Sequence, residues 1–335
     1  MAGIRMPVAV FGMDVEQLKR RITTSQHEPA GQTTRDATAM RATTNTTGDA
    51  RNTAADLRAR FHHDGYVVLP EVLDPTELHQ LQAESVRLCR GDLGSIEGAT
   101  TAVSTETEDE VLRRFLCIHY PHKISDVIRT HMTHPYVVAV LKDVIGPNIK
   151  SMQSMLFIKA EGKPGQAWHQ DEFFIPTRDR SLTAAWTALD DATVENGCLW
   201  VLPGSHRAGV IYPNAEHDDR DYDCSVASYG FPYREEDAVA VEVEAGSTVL
   251  FNGYLLHKSL PHRGKGGYRR ALVNHYMSAE SLLPWFMPGP DVTQMGGHDY
   301  RDIVMVAGQD PYAYKGTAQV ARARLRPDGA GGCDR

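Results

Sequence analysis

Three times in this sequence a histidine stands two residues before an aspartate: His62/Asp64, His169/Asp171 and His217/Asp219. Residues i and i+2 of a strand share a face, so each pair could present an imidazole nitrogen and a carboxylate oxygen to one point. A third histidine from another strand would complete a 2-His-1-carboxylate facial triad. Such a triad suits non-haem Fe(II) and leaves three coordination positions open. Context separates the pairs. His62 and Asp64 precede Gly65 and read as a helix end and turn. His217 and Asp219 lie in a charged run, Glu216 to Asp221, with no apolar face, and read as a solvated loop. His169 and Asp171 sit between Trp168 and Phe173-Phe174, which makes them the best candidate.

For the third ligand, His206, His257, His262, His275 and His298 compete. His206 closes Pro203-Gly204-Ser205 and reads as the pin of a tight turn. His262 and His298 fall in loops, and His275 reads as a core histidine on the last long strand. His257 follows the apolar run Val249-Leu250-Phe251 and is preferred for what comes after it. Arg269 offers a planar two-donor clamp for a carboxylate, and Ser259 offers a hydroxyl nearby. Arg269 and Arg270 face opposite sides of their strand, so only one can point inward.

The elements that must position these groups change character along the chain. The stretch 1–55 is Thr/Ala-rich and, from Gly31, holds no aromatic, Val, Ile or Leu. Such a segment cannot offset its ordering entropy and reads as a disordered tail, with a short helix at 15–22. A helix through Phe61 leads to a strand at Tyr66–Leu69. Asp74, Pro75 and Glu77 spell a capped helix start, with Leu78, Leu81, Ser85 and Leu88 along one face. A second helix runs from Pro135 to about Ile145. Strands follow at 151–160, 166–171, 182–190, 198–202, 238–243, 247–251 and 269–279. The expectation is one domain over 56–320, mainly β with flanking helices, and a flexible tail at 321–335.

Net charge is −8, from 35 basic and 43 acidic residues, which disfavours nucleic acid as a partner. No apolar run approaches the length of a membrane span. Five cysteines without a C-x-x-C suggest neither a disulfide framework nor zinc, and a cytoplasmic setting is expected.

Four ordered motifs carry a family likeness: Trp168-His169-Gln170-Asp171; Ala185-Trp186-Thr187 through Asp190-Asp191; Glu195-Asn196-Gly197 through Gly204-Ser205-His206; and His257-Lys258-Ser259 with Tyr268-Arg269-Arg270. Over roughly residues 57–317 the chain resembles the phytanoyl-CoA dioxygenase family of Fe(II)- and 2-oxoglutarate-dependent oxygenases. The resemblance implies a double-stranded β-helix, a jelly-roll of cupin type, with His169, Asp171 and His257 as iron ligands. It implies that Arg269 and Ser259 hold the distal carboxylate of 2-oxoglutarate, and that Trp186, Gln153 and Met155 contact the same cosubstrate. It also implies O2-dependent conversion of 2-oxoglutarate to succinate and CO2, coupled to oxidation of a substrate C–H bond. Hydroxylation is the default outcome; ring closure, desaturation and epimerisation use the same oxidant. Asp171 argues against a halogenase, which needs that ligand position open.

The other class of function to weigh is a β-barrel binding protein without redox chemistry. The acidic segment 212–224 suggests a small polar substrate, cationic or polyhydroxylated, such as a natural-product intermediate of secondary metabolism. Aromatics from Trp285 to Tyr314 suggest a lid or a dimer contact, and the oligomeric state is left open.

Overall fold

Two capping boxes set the first turns. Thr53 accepts the Asp56 N–H and returns its own N–H to the Asp56 carboxylate, opening α1 (Ala54–Asp64). Asp74 and Glu77 do the same for α2 (Pro75–Arg90), with Pro75 at the first helical position as its fixed φ favours. Gly65 ends α1 at φ +85, and a Cβ there would meet the His206 ring at 2.5 Å. Glycine is required twice over at that turn. The computed structural model describes residues 53–283 and 300–326. The N-terminal tail, the helix at 15–22, Trp285, Phe286, His298 and the stretch 327–335 lie outside the described residues.

From α1 the chain enters β1 (Tyr66–Leu69), then passes through α2 and α3 (Glu108–Leu112) to β2 (Cys117–His119). Helices α4 (Asp126–His131) and α5 (Pro135–Val144) precede the long strand β3 (Ile149–Ala160). Next come β4 (Gln166–His169), a helical turn α6 (Asp171–Phe174), β5 (Thr183–Ala188) and β6 (Leu199–Val201). A small hairpin, β7 (Asn214–Ala215) with β8 (Ala227–Ser228), leads to β9 (Val239–Val241), β10 (Thr248–Asn252) and β11 (His257–Ser259). The chain closes with β12 (Tyr268–Ser278), β13 (Val304–Ala307) and β14 (Arg324–Arg326).

The strands form a large sheet in the order β1-β10-β5-β12-β3-β2-β14, with β13 on β3, and a smaller sheet in the order β4-β11-β6-β9. Every named pairing is antiparallel. This is the expected jelly-roll architecture. Between the sheets lies one apolar cluster, including Met155, Trp186, Val201, Val249, Phe251 and Val273. On the outer face of the large sheet, Leu156, Ile158 and Leu272 pack with Leu81 and Leu88 of α2 and Ile128 of α4. A further outer cluster joins Leu57 and Phe61 of α1 to Val137 and Leu141 of α5. Burial on both faces explains why β3 and β5 do not alternate cleanly between apolar and polar.

Two expectations need correction. Strand β4 stops at His169, and Asp171 opens α6 instead of continuing the strand to 171. Gln170 forces that break: it is fully buried, and its Nε2 donates to the carbonyls of Val210 and Tyr254. The expected flexible tail at 321–335 is also wrong at its start, because Arg324–Arg326 returns as β14 beside β2. Short β2, β11 and β14 have no period long enough to announce themselves in the sequence.

Of the two adjacent arginines, Arg270 points outward. Its Nε and Nη2 clamp the Asp190 carboxylate at 2.8 and 2.7 Å, and its Nη1 reaches the Ser85 hydroxyl of α2. Arg270→Ala strands the Asp190 charge in a largely buried site, so urea unfolding should show a loss of about 2–3 kcal/mol. An unchanged midpoint would contradict this role for the clamp.

Candidate metal centre

Cross-strand register brings the first two candidate ligands together. His257 of β11 lies directly opposite His169 of β4, and their ring centroids stand 4.1 Å apart. Each ring is anchored by its far nitrogen: His169 Nδ1–H donates to the Ala167 carbonyl at 2.8 Å, and His257 Nδ1–H to the Leu255 carbonyl at 3.0 Å. These bonds leave both Nε2 lone pairs facing inward. Asp171 Oδ1 is 3.7 Å from His169 Nε2 and 3.6 Å from His257 Nε2. One ligand atom from each residue lies within 4.8 Å of the others, and all three residues are buried.

Burial, then the neighbouring His257, pushes the His169 pKa down to about 3, so its ring is neutral. Burial alone would raise the Asp171 carboxyl, but His257, His275 and His169 outweigh it and hold it well below the usual carboxylate range. Two imidazole nitrogens and one ionised carboxylate, converging on one point, fit a divalent cation.

The other oxygen, Asp171 Oδ2, accepts from His275 Nε2 at 3.1 Å. Read from sequence as a core histidine, His275 instead touches a site residue and orients its carboxylate. Such partners fix ligand geometry and tune affinity. The missed signal was parity: 269, 271, 273 and 275 share one face of β12.

The triad opens into a cavity of about 660 Å³. Its lining includes all five expected cosubstrate residues: Gln153, Met155, Trp186, Ser259 and Arg269. Gln153 and Met155 face inward from β3, and Gln153 donates to His119 Nδ1 at 3.2 Å. Arg269 is 2% exposed, its guanidinium stands 5.5 Å from the Trp186 ring centroid, and its Nε has no hydrogen-bond partner. Directly across the strands from it, Lys159 is equally buried. Lys159 Nζ donates to Ser259 Oγ at 3.0 Å and to the Leu260 carbonyl at 2.6 Å. Desolvation, with Arg269 adding, lowers its pKa well below the ordinary lysine value. Among the described residues no carboxylate pairs with either cation. A buried arginine beside a buried lysine, with no carboxylate between them, is costly to keep charged unless an anion joins them. Lys159 shares a face of β3 with Gln153, Met155 and Phe157 by the alternation of that strand.

The remaining sequence candidates do not reach the site. His62 and Asp64 end α1, and His206 Nε2–H donates to the His62 carbonyl at 3.1 Å, pinning the turn as expected. His217 and Asp219 lie in the loop after β7. Glu216, Asp218 and Asp219 are absent from the cavity lining, Asp221 pairs with Arg263 at 2.6 Å, and Asp223 pairs with Arg326 at 2.9 Å. The basic side chains among the walls are Arg269, Arg324, Arg326 and Lys258. Cys89, Cys117 and Cys198 are buried free thiols, whereas Cys224 is disulfide-bonded, which the cysteine spacing did not suggest. Among the described residues, no helix is long and apolar enough to cross a membrane.

Comparison with known proteins places these features. Residues 61–271 match the family model described as phytanoyl-CoA dioxygenase (PhyH). The chain is 29% identical over 245 residues to a probable phytanoyl-CoA dioxygenase of Caenorhabditis elegans, covering 67% of this chain and 75% of that protein. It is 39% identical over 110 residues to a phytanoyl-CoA dioxygenase of Arabidopsis thaliana, a match spanning 32% of this chain and only 38% of that one. Among solved structures, the epimerase SnoN in complex with Fe3+, alpha ketoglutarate and nogalamycin RO superposes with a TM-score of 0.54 at 21% identity. That alignment covers 81% of this chain and 98% of the epimerase.

Glu172, beside the triad, yields a pH test. Burial first, then Asp179 and Asp171, raises its carboxyl pKa from 4.5 to about 7, against hydrogen bonds from Thr177. The folded chain thus keeps a proton that the unfolded chain releases earlier. The associated stability is full below about pH 4.5 and is lost as pH rises through about 7. Against Glu172→Gln, the wild type should lose relative stability across that window in denaturant titrations. A pH-independent difference between the two would contradict the shift.

Proposed function

The chain belongs to the phytanoyl-CoA dioxygenase family, and from that premise we propose that His169, Asp171 and His257 hold Fe(II) and that the cavity beside them hydroxylates a C–H bond of a small organic molecule. At the coarser level it is an iron- and 2-oxoglutarate-dependent oxygenase. The observation that carries the finer reading is the presence, in one cavity, of three converging metal donors and a buried arginine without a carboxylate partner. Arg269 presents its guanidinium to the distal carboxylate of 2-oxoglutarate, with Ser259 and Lys159 beside it. When bound, iron, 2-oxoglutarate and O2 supply the oxidising chemistry, with succinate and CO2 as the cosubstrate's products.

The chain's own residues do the rest. Ala167 and Leu255 fix the imidazole rings through their carbonyls, so little reorganisation accompanies metal entry. His275 holds Asp171 by one oxygen and leaves the other for the metal. Phe251 packs at a tilt against His257 at 4.6 Å between centroids, and Phe174 lies 6.1 Å from His169, which limits water around the three donors. Trp186 and Met155 give the cosubstrate an apolar bed, so that Arg269 is its main polar contact at that end.

Anaerobic titration with Fe(II) and 2-oxoglutarate should produce a weak visible charge-transfer band in the wild type and none in His169→Ala or His257→Ala. Succinate release over a panel of small organic acids and alcohols identifies the substrate. Arg269→Ala should weaken 2-oxoglutarate binding by about 100-fold or more while leaving Fe(II) affinity near wild type. His275→Ala should weaken Fe(II) binding about 10–100-fold. An equal band in His169→Ala would sink the ligand assignment.

A further inference from the structure

The register of the large sheet extends the cavity floor in rows. Trp186 of β5 pairs with Val273 of β12, Val273 with Met155 of β3, Met155 with His119 of β2, and His119 with Arg324 of β14. A second row runs Ala188, Ala271, Phe157, Cys117 and Arg326. Arg324 and Arg326 therefore face the same side as the cosubstrate residues, and both line the cavity. At about 4.8 Å per strand, Arg324 stands about 14 Å across the sheet from β12, far from the Arg269 end. Leu325, between them, packs outward against the apolar cluster under α2.

The two arginines are not equivalent. Arg326 is neutralised by Asp223 and also donates to Ser225. Arg324 has no carboxylate partner among the described residues; its polar companion is the Tyr120 hydroxyl. Tyr120 itself is held in the left-handed region at φ 58, ψ 38, which for a bulky residue costs about 1 kcal/mol and over-determines where its side chain points. Its N–H is fixed by the Ser154 carbonyl at 2.7 Å. The adjoining His119 is kept uncharged, its pKa pushed down to about 3 by burial and then by Arg326 and Arg324. The wall thus presents one exposed cation, a phenol and a neutral imidazole. The rest of the lining includes apolar Met155, Phe157, Phe174, Ile175 and Leu199, together with polar Gln153, Gln166 and Ser225.

We propose that Arg324 selects the substrate by pairing with an acidic end group, a carboxylate or a phosphate, carried on an apolar body whose far end lies over the triad. This rests on the reading that the triad holds iron and the cavity holds the substrate. Arg324 and Arg326 come from outside residues 61–271, the segment matched by the family model. The acid recognised here is distinct from the cosubstrate, whose carboxylate belongs to the Arg269 and Lys159 end.

The test uses the full chain loaded anaerobically with Fe(II) and 2-oxoglutarate, titrated calorimetrically with octanoate, octyl phosphate, octan-1-ol and octylamine. The wild type should bind one or both acids at least about 10-fold more tightly than the alcohol, and the better acid identifies the end group. Arg324→Ala and Arg324→Gln should erase that preference, Arg324→Lys should keep part of it, and Arg324→Glu should turn it towards the amine. Binding of 2-oxoglutarate should be the same in all of them. A wild type that binds neither acid or shows no preference for them, or a preference that survives Arg324→Ala, would overturn the proposal. Weakened 2-oxoglutarate binding in Arg324→Ala would overturn it too, by moving the cosubstrate to this wall. Loss of the charge-transfer band in the loaded wild type would instead sink the iron and cosubstrate reading.

Discussion

The site depends on one cross-strand pair. His169 and His257 face each other because β4 and β11 are antiparallel and in register at that residue. A slip of one residue in either strand would turn its ring away from the interior and break the pair. The surroundings remove that freedom. Gln170 is bolted to two loop carbonyls, Leu256 N–H is held by Ser205 Oγ at 2.9 Å, and β11 is paired on its other edge to β6. The jelly-roll is the means by which two short strands, distant in sequence, are held at one alignment.

The same frame accepts charges that a simple core would reject. Asp171 is stabilised as an anion by the histidines around it. Arg269 and Lys159 share the opposite end of the cavity with no carboxylate among the described residues, a desolvation cost that makes sense only when an anion is admitted. The charged groups of the interior are therefore segregated: one negative group at the metal donors and basic groups at two separate ends. That arrangement orients any acidic molecule entering it more strongly than shape alone could.

Much of this was legible in the residues. Asp74-Pro75-Thr76-Glu77 predicted its helix start to the residue, and the aromatic setting of His169 singled out the right His-x-Asp pair. The alternation of Arg269 and Arg270 showed that only one could face inward, though not which. Legibility failed where local pattern carries no information. Asp171 leaves the strand because of hydrogen bonds made by Gln170 to residues 40 and 84 positions away. His275 resembled a core histidine because its partner lies 104 residues off. The acidic run read as a solvated loop and, over 212–224, as a hint of a polar substrate, while the partners of Asp221 and Asp223 are the distant Arg263 and Arg326. Three-residue strands such as β14 have too few positions to show any period at all.

The position of β14 has a temporal consequence. Strand β2 waits about two hundred residues for this partner, a loop closure that is entropically later than the pairings among β3, β5, β10 and β12, whose partners lie about 60–130 residues apart. On a ribosome, both histidines, Asp171 and Arg269 have emerged well before Arg324 is synthesised. The nascent chain can thus assemble its metal donors while one flank of the large sheet is still an open edge. Docking of β14 closes that edge against unwanted strand addition and sets the guanidinium in place in the same event. Truncation or nicking just before Ala323 would then yield a species with an intact triad, an unprotected β2 and no basic wall.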